Sequence, residues 1–346
     1  MEIDSSAQFI VLHGNNGAGK TNILESVYLL SALRSFREHA RHNLIRKGTN
    51  ITSIEGRIRG RLGKRRMLWS FSSRGRFLSI DNVPTTSLST WFSHIRSILF
   101  APESIKIVTA EPEYRRSFLD RARFVANPSY LTTVRSYIQV LEQKKSLLRQ
   151  ENPDLVVLNL LNEKLVDFGI KVVLQRQNIL NELRGPAQKM YESLTQGKEK
   201  IEFSMMGLAK TEPSKLRDVF FEKIERLQTE ELRQRRVLVG PHRDDMSIMI
   251  NGFLAKKFAS KGQARSIVIA LKLAELEASV SRGEQPVFLM DDLSSELDRE
   301  RTQRLLSLLS QYDNQIWITT TDSSYLGQLP RNKALFYRID SGKFGV

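Results

Sequence analysis

The chain has 346 residues, enough to bury a full hydrophobic core and to divide into two lobes. It contains no cysteine, which excludes a disulfide framework, a thiolate zinc site and a cysteine nucleophile. The formal net charge of +15 favours a polyanionic partner, and a solubilising surface is the alternative explanation.

The sequence matches neither a secretory signal peptide nor a membrane-spanning segment. The start, MEIDSS, is acidic and does not match a secretory signal peptide. No apolar run approaches the roughly 20 residues that span a bilayer. We therefore expect a cytoplasmic protein.

The first motif in chain order is a phosphate-binding loop. Residues 9–13 are predicted to form a buried strand and 20–33 a helix, and the segment between them fits G-x-x-x-x-G-K-[ST] in full. The glycines let backbone N–H groups turn toward a β-phosphate, and the helix N-terminus adds its partial positive charge. Lys20 would bring a charge to the β and γ oxygens, and the Thr21 hydroxyl can ligate Mg²⁺. The predicted ATP-binding residues are Gly14, Asn15, Asn16, Gly17, Ala18, Gly19, Lys20 and Thr21.

A basic, turn-rich β segment follows. Between Arg34 and Arg76 there are 13 Lys and Arg residues against two acids, which supplies most of the excess charge. From about residue 51 to 82 short β-like runs alternate with glycine-bearing turns, a pattern typical of an antiparallel meander. We expect the arginines on its outer face.

A long helical region separates this part from a second strand–helix alternation. Three stretches between residues 111 and 235 carry apolar residues at helical spacing, and Asn152–Pro153 and Gly185–Pro186 are predicted to delimit the helices. From residue 236 onward, strand-like and helical runs alternate, as in an α/β sheet. We therefore predict a discontinuous ATPase head, residues 1–110 and 236–346, with a helical lobe, 111–235, inserted in it.

The second motif is an acid pair in PVFLMDDLSSELD, residues 286–298. Val287 to Met290 are predicted to form a buried strand, and Asp291 is placed to hold Mg²⁺ directly or through water. Asp292 would then orient or deprotonate the attacking water. A turn or a helix cap is the alternative for such a pair, and the phosphate loop in the same chain argues against it.

The third motif is FASKGQARS, residues 258–266, at the start of a predicted helix, with Gly262 lying 29 residues before Asp291. This order is typical of ATP-binding-cassette (ABC) ATPases, whose signature serine and glycine meet the γ-phosphate held by a second subunit. SSELD, residues 294–298, fits the subunit-crossing loop of that class. We predict that Ser260, Gly262 and Gln263 contact ATP in trans, and a plain helix cap or loop is the alternative. ATP would join two subunits, and hydrolysis would delete several charge-assisted hydrogen bonds.

Taken together, these motifs resemble the RecF family of bacterial recombination mediators. The matching segments run in family order: GNNGAGKTN, RSFR, FAPE, RRSFLDR, VGPHRDD, SKGQARS, LMDDLSSELD and TTTD. The resemblance implies an ABC-type P-loop ATPase head, like those of chromosome-maintenance ATPases, with a mixed sheet, an antiparallel β subdomain and a compact helical lobe. It also implies an ATP-dependent homodimer on gapped DNA that acts with RecR and RecO to load RecA, in replication, repair and the SOS response.

Two departures from the family pattern affect these expectations. Family members usually carry an extra strand and a FRNY-like segment ahead of the acidic strand. The resemblance therefore does not assign the contacts to the nucleotide base or the strand at one edge of the sheet. The region of the switch histidine of transporter-type cassettes is TTTDSS here, and neither Thr321 nor Asp322 is assigned a catalytic role.

The leading hypothesis is a DNA-binding ATPase clamp with weak, DNA-stimulated hydrolysis. The residues predicted to contact DNA phosphates, without reading sequence, are Arg57, Arg59, Arg61, Lys64, Arg65 and Arg66, and a solvated edge is the alternative. Two other functions are weighed. An ATPase subunit of a membrane transporter shares the cassette motifs, but the insertion and the charge argue against it. A metal-dependent nuclease would need a second acidic cluster, for which HRDD is the nearest candidate.

Overall fold

The computed structural model describes residues 2–38, 40–327, 329–340 and 343–344, without the side chains of residues 41, 325, 343 and 344. The chain divides into two compact units. The first contains Met1–Ser104, Ser193–Gln196 and Val268–Val346, and the second contains Ile105–Glu192 and Gly197–Ile267. The division of the sequence into a functional head and an inserted lobe stays a prediction, and seven residues of that head, 1, 39, 328, 341, 342, 345 and 346, lie outside the described residues.

The strands lie mostly near the two ends of the chain, as the β-like runs predict. They are β1 (Phe9–His13), β2 (Ile51–Gly60), β3 (Gly63–Ser72), β4 (Gly75–Ile80), β5 (Val83–Pro84), β6 (Ser97–Phe100), β7 (Ile201–Met206), β8 (Asp245–Ile250), β9 (Phe253–Leu254), β10 (Val287–Met290), β11 (Ile316–Thr320), β12 (Ala334–Asp340) and β13 (Lys343–Phe344).

The longest helices occupy the middle of the chain. The helices are α1 (Lys20–Ala32), α2 (Leu88–His94), α3 (Lys106–Thr109), α4 (Pro112–Ala126), α5 (Tyr130–Leu148), α6 (Leu155–Thr195), α7 (Leu216–Gln234), α8 (Ala255–Phe258), α9 (Lys261–Ser281), α10 (Leu293–Glu296) and α11 (Arg299–Leu309). Within the described part of the chain, a helix of the length and apolarity needed to cross a membrane does not occur.

The main sheet of the first unit has six strands in the order β13-β12-β1-β11-β10-β6. All neighbours are parallel except β12 and β13. Strands β1, β10 and β11 are short apolar runs because both faces of a parallel sheet are covered. Consecutive strands β10 and β11 are neighbours, and β1 lies beside β11, so the carboxyl ends of these three strands share one edge of the sheet. That edge positions the phosphate loop and the acid pair.

The predicted antiparallel meander is confirmed as a sheet in the order β2-β3-β4-β5. Its hairpin turns place Gly63 and Gly75 at φ of 88° and 105°, a region that glycine enters without steric cost. Residues along β2 alternate between exposed and half-buried positions, so the strand has one solvent face.

The second unit confirms helices in the predicted stretches, but one predicted break is wrong. Pro186 lies inside α6, a single helix of 41 residues. A proline removes one intrahelical hydrogen bond, and we attribute the continuation of the helix to packing that outweighs this cost. Leu183, Ala187 and Tyr191 lie at four-residue steps across the proline and are all fully buried. Burial of this stripe stabilises the helix on both sides of the missing bond.

A second correction concerns β7, which lies in a stretch that the sequence analysis took as helical throughout. Its residues, IEFSMM, begin with the strict alternation of apolar and polar positions that is typical of a half-buried strand. The strand pairs antiparallel with β8, and β9 completes a three-stranded sheet. This alternation is visible in the sequence, but the strand that pairs with β7, β8, begins about 40 residues further along the chain.

Candidate nucleotide-binding site

The loop between β1 and α1 has the backbone shape that its glycines allow. Gly14, Gly17 and Gly19 have φ of 141°, 77° and 101°, where a side chain would strain the backbone. A Cβ on Gly14 would also lie 2.3 Å from the carbonyl oxygen of Ile339 in β12. Gly19 immediately precedes the first residue of α1. The loop therefore depends on glycine both for its turns and for its fit against the sheet.

Lys20 begins α1 and is almost fully buried. Its Nζ donates to the carbonyl oxygens of Gly14 and Asn15 at 2.7 and 2.8 Å, so the ammonium lies under the loop. Burial lowers the pKa of Lys20 from its ordinary value, and the carboxylates of Asp292 and Asp291 offset part of that effect. The charge thus lies where the sequence motif predicts a phosphate.

Thr21 and Asp291 come together at the same edge, although 270 residues separate them in the sequence. The Thr21 hydroxyl donates to Asp291 Oδ1 at 2.9 Å, and Asp291 is almost completely buried at the end of β10. A hydroxyl and a carboxylate in contact are hard oxygen ligands, which is the chemistry that Mg²⁺ prefers when phosphate oxygens and water complete its shell. The two residues present therefore fit the predicted metal.

Thr319 is a member of this cluster that sequence reasoning missed. It lies at the end of β11, is fully buried, and its hydroxyl donates to Asp291 Oδ1 at 2.7 Å. The same hydroxyl accepts from the backbone N–H of Asp292 at 2.8 Å. Asp292 has φ of 55°, an uncommon conformation that aspartate tolerates better than most residues, and immediately precedes α10. The signal in the sequence was a run of threonines ending an apolar strand, IWITT.

The rest of the TTTD segment is bound within the first unit. The Thr321 and Ser294 hydroxyls are 2.9 Å apart, which links the segment to the predicted subunit-crossing loop. The Asp322 carboxylate accepts from the backbone N–H of Ser324 and caps a short turn. Hydrogen bonds from the Ser324 side chain and from its backbone N–H lower the pKa of Asp322. These contacts give Asp322 a structural role.

The signature segment lies in the second unit, where Ser260 precedes α9. The Ser260 hydroxyl accepts from the Gln263 N–H at 3.2 Å, and the Gln263 side chain accepts from the Ser260 N–H at 2.7 Å. This reciprocal pair is a capping box, which satisfies two backbone donors of the first helical turn. Ser260 is exposed and Gly262 is half-buried. The helix-cap alternative is therefore real, and it is compatible with a further contact to a phosphate.

The six basic residues of the meander do not share one face. Arg57 pairs with Arg66 and Arg59 with Lys64 across β2 and β3, so these four project to the same side of the sheet. We call them the basic face. Arg65 pairs with Ile58, projects to the other side, and lies 3.3 Å from Asp81. Arg61 lies in the hairpin turn.

Arg66 is the member of the basic face with an ion-pair partner. Its guanidinium donates two hydrogen bonds of 2.8 Å to the Glu55 carboxylate. The pair lowers the pKa of Glu55 and raises that of Arg66. Among the residues that the structure describes, Arg57, Arg59 and Lys64 form no ion pair with an acid. Their charges are available to a polyanion.

Two further segments that carry the family resemblance contact each other in the second unit. The Arg115 guanidinium, from RRSFLDR, donates to both carboxylate oxygens of Asp245, from VGPHRDD, at 2.7 and 2.9 Å. Arg116 donates to the backbone carbonyl of Asp244 at 2.8 Å. In the same segment, His242 Nδ1 lies 2.6 Å from the Tyr137 hydroxyl, and burial lowers the His242 pKa to about 4. These residues hold the unit together.

The sheet order, the phosphate loop and the acid pair at one edge define an ABC-type ATPase head. A solved Smc head bound to the C-winged helix domain of ScpA shares the fold, with a TM-score of 0.56 at 11% identity over 98% of this chain and 88% of that one. No family model matches the chain.

The sequence relatives are more specific. The DNA replication and repair protein RecF of Geotalea daltonii is 34% identical over 340 residues, covering 97% of this chain and 93% of that protein. RecF of Streptococcus pneumoniae is 33% identical over 348 residues, covering 100% of this chain and 94% of that protein. The chain belongs to the RecF family, which confirms the resemblance stated from the motifs.

Solved structures lead to the same family. The recombination mediator protein RecF in the RecFOR pathway, as RecF-ATP, superposes with a TM-score of 0.88 at 27% identity, over 99% of this chain and 92% of that one. A RecF-ATPrS structure of that pathway gives a TM-score of 0.87 at the same identity and coverage. These neighbours do not favour the alternative of a transporter ATPase subunit.

Proposed function

We propose that this protein is an ATP-dependent, DNA-binding recombination mediator whose ATPase acts as a switch. The observation that carries the proposal is the meeting of the buried Lys20 ammonium, the Thr21 hydroxyl and the Asp291 carboxylate at one sheet edge. Relatives named as DNA replication and repair proteins support the repair role. Neighbours named as RecF-ATP and RecF-ATPrS support ATP as the nucleotide.

In this proposal each residue of the edge has one task. Lys20 places its charge against the β and γ oxygens, and the loop N–H groups cradle the β-phosphate. Thr21 and Asp291 would hold Mg²⁺, which when bound would neutralise charge on the phosphate oxygens. Asp292 orients or deprotonates the attacking water. Hydrolysis is expected to be weak and stimulated by DNA, because a switch that holds DNA gains from a long-lived ATP state.

The nucleotide is proposed to join two copies of the chain through the signature segment. Ser260 uses its oxygen lone pair as a helix cap, and its own proton remains available to donate to a γ-phosphate of the other copy. Gly262 lets a backbone N–H approach that phosphate closely. The Gln263 side chain is bound to Ser260 N–H and to Glu199, so Ser260 and Gly262 are the stronger candidates for contact in trans.

The closed pair is proposed to bind gapped DNA and to act with RecR and RecO in promoting RecA loading in replication, repair and the SOS response. The solved neighbours in the RecFOR pathway support these partners. The basic face supports binding to DNA phosphates without recognition of bases. Its side chains project from the paired strands β2 and β3, and not from a helix that could enter a DNA groove.

Sedimentation with ATP, ADP or no nucleotide, with and without gapped DNA, tests the proposal. We expect the wild type to dimerise with ATP but not with ADP or without nucleotide. Lys20→Ala should bind ATP only weakly and stay monomeric, and Ser260→Arg should bind ATP and stay monomeric. Lys257→Ala changes an exposed residue near the signature segment and serves as the control that dimerises with ATP. A Ser260→Arg chain that dimerises normally would contradict the contact in trans.

A further inference from the structure

The Thr319 hydroxyl contacts both residues of the acid pair, the carboxylate of Asp291 and the backbone N–H of Asp292. Strand β11 lies between β1 and β10, and Thr319 pairs with Leu12 in β1. On the other side, Ile318 pairs with Met290, the last residue of β10. Thr319 is therefore level with Asp291, at the point of the sheet edge between the phosphate loop and the acid pair.

One hydroxyl makes two different hydrogen bonds there. It donates its proton to Asp291 Oδ1 at 2.7 Å and accepts the backbone N–H of Asp292 at 2.8 Å. Thr21 donates to the same Oδ1 at 2.9 Å. Because the hydroxyls of Thr21 and Thr319 both donate to Oδ1, they orient the carboxylate, and the lone pairs of Oδ2 can serve a cation or its water.

The bond to Asp292 has a separate consequence. Asp292 has φ of 55°, and such a conformation persists in a side-chain-bearing residue when its surroundings hold it there. The Thr319 hydroxyl is a fixed acceptor for the Asp292 N–H, because Thr319 is fully buried within a parallel strand. The direction in which the Asp292 carboxylate leaves the strand end depends on this backbone conformation.

From this geometry we infer that Thr319 is a positioning residue for the nucleotide site. It orients the metal-holding carboxylate of Asp291 and fixes the backbone of Asp292 with a single hydroxyl. The inference rests on the proposed function, and it assigns Thr319 no contact with nucleotide. This role requires a side chain that both donates and accepts a hydrogen bond. We therefore expect serine at position 319 to preserve the function and valine to lose it.

Thr320 offers a matched control in the next position of the same strand. It is also fully buried, but its hydroxyl bonds to the backbone of Asp322, donating to the carbonyl at 3.0 Å and accepting the N–H at 3.2 Å. Thr320→Val therefore removes a buried hydroxyl from β11 without touching the acid pair. Urea unfolding of each variant checks that the fold is kept, and Thr319→Ala replaces Thr319→Val if the valine chain does not fold.

The test measures the affinity of a fluorescent ATP analogue with and without Mg²⁺, followed by the hydrolysis rate. For Thr319→Val we expect affinity without Mg²⁺ within about twofold of wild type, because Lys20 and the loop are intact. The gain in affinity on adding Mg²⁺ should shrink by roughly 10- to 100-fold, and hydrolysis should fall by a similar factor. Thr319→Ser and Thr320→Val should behave like the wild type.

Three results would overturn the inference: a Thr319→Val chain with the Mg²⁺ gain of the wild type, a Thr320→Val chain with the same loss, or no rescue by serine. The failure of the proposed function looks different. In that case the wild type itself would show no affinity for ATP or no gain from Mg²⁺, whatever residue stands at position 319.

Discussion

The nucleotide site and the basic face differ in what holds their charged groups. At the nucleotide site, Lys20 and Asp291 are buried, and each is bound at a hydrogen-bonding distance to named partners in its own unit. On the basic face, the charged ends project from exposed strand positions, and Arg66 alone among the four has a described acid partner. The difference teaches that a buried site depends on exact geometry, whereas an exposed one depends mainly on how many charges share a side.

The largest expected effect tests the geometric half of this comparison. Gly14→Ala should lower the free energy of unfolding by at least about 2 kcal/mol, since it combines a strained φ with a Cβ placed against the Ile339 carbonyl. ATP binding should be lost with it, because the loop must shift to relieve the contact. Urea unfolding followed by tryptophan fluorescence, together with nucleotide titration, measures both.

Gly17→Ala is the matched control for that change. Its φ of 77° carries the backbone strain, but a Cβ there meets no described atom within 4 Å. We expect a cost of about 1 kcal/mol. Equal costs for the two alanine variants would show that close packing against β12 is unimportant.

The basic face gives the next effect, which is a change in salt dependence. Replacing Arg57, Arg59 and Lys64 together by alanine should reduce the slope of log affinity for duplex DNA against log salt by about 2.7, at roughly 0.9 for each phosphate contact. A binding titration over a series of salt concentrations measures the slope.

Arg65→Ala is the control on the opposite side of the same sheet, where its partner is Asp81. It should leave the salt slope close to that of the wild type. If Arg65→Ala reduced the salt slope by one third of the reduction seen in the triple variant, Arg65 would contribute as much as one residue of the basic face. DNA would then contact both sides of the sheet.

The smallest effect concerns pH at the nucleotide site. Burial lowers the pKa of Lys20, and a bound triphosphate should raise it, so the complex holds its proton to higher pH than the free protein. Affinity for ATP should therefore fall as the pH rises through the alkaline range toward the ordinary pKa of lysine, by at most about tenfold per pH unit. Fluorescence titration across this range measures it.

Lys20→Ala separates this titration from other effects of alkaline pH. Its residual affinity for ATP, measured at high protein concentration, should be nearly independent of pH over the same range. A parallel decline in the wild type and in Lys20→Ala would assign the pH dependence to another group.

Local patterns were sufficient for much of the fold. The phosphate loop, the acid pair, the antiparallel meander and the long helices each follow from residues close together in the sequence, where spacing and turn residues dictate the conformation. The same order of motifs indicated the RecF family, and the full-length relatives confirm it.

The sequence by itself thus determined which chemistry the chain carries: a phosphate-binding loop, an acid pair after a buried strand, and an excess of exposed positive charge. Tertiary structure alone decided how these groups are used. The parallel neighbours of β11 brought Thr319 to Asp291, strand register put Arg65 on the opposite side from Arg57, and burial carried α6 through Pro186. The physical reason is that register and packing depend on residues far apart in the chain, and a local pattern contains no information about which distant partner it will meet.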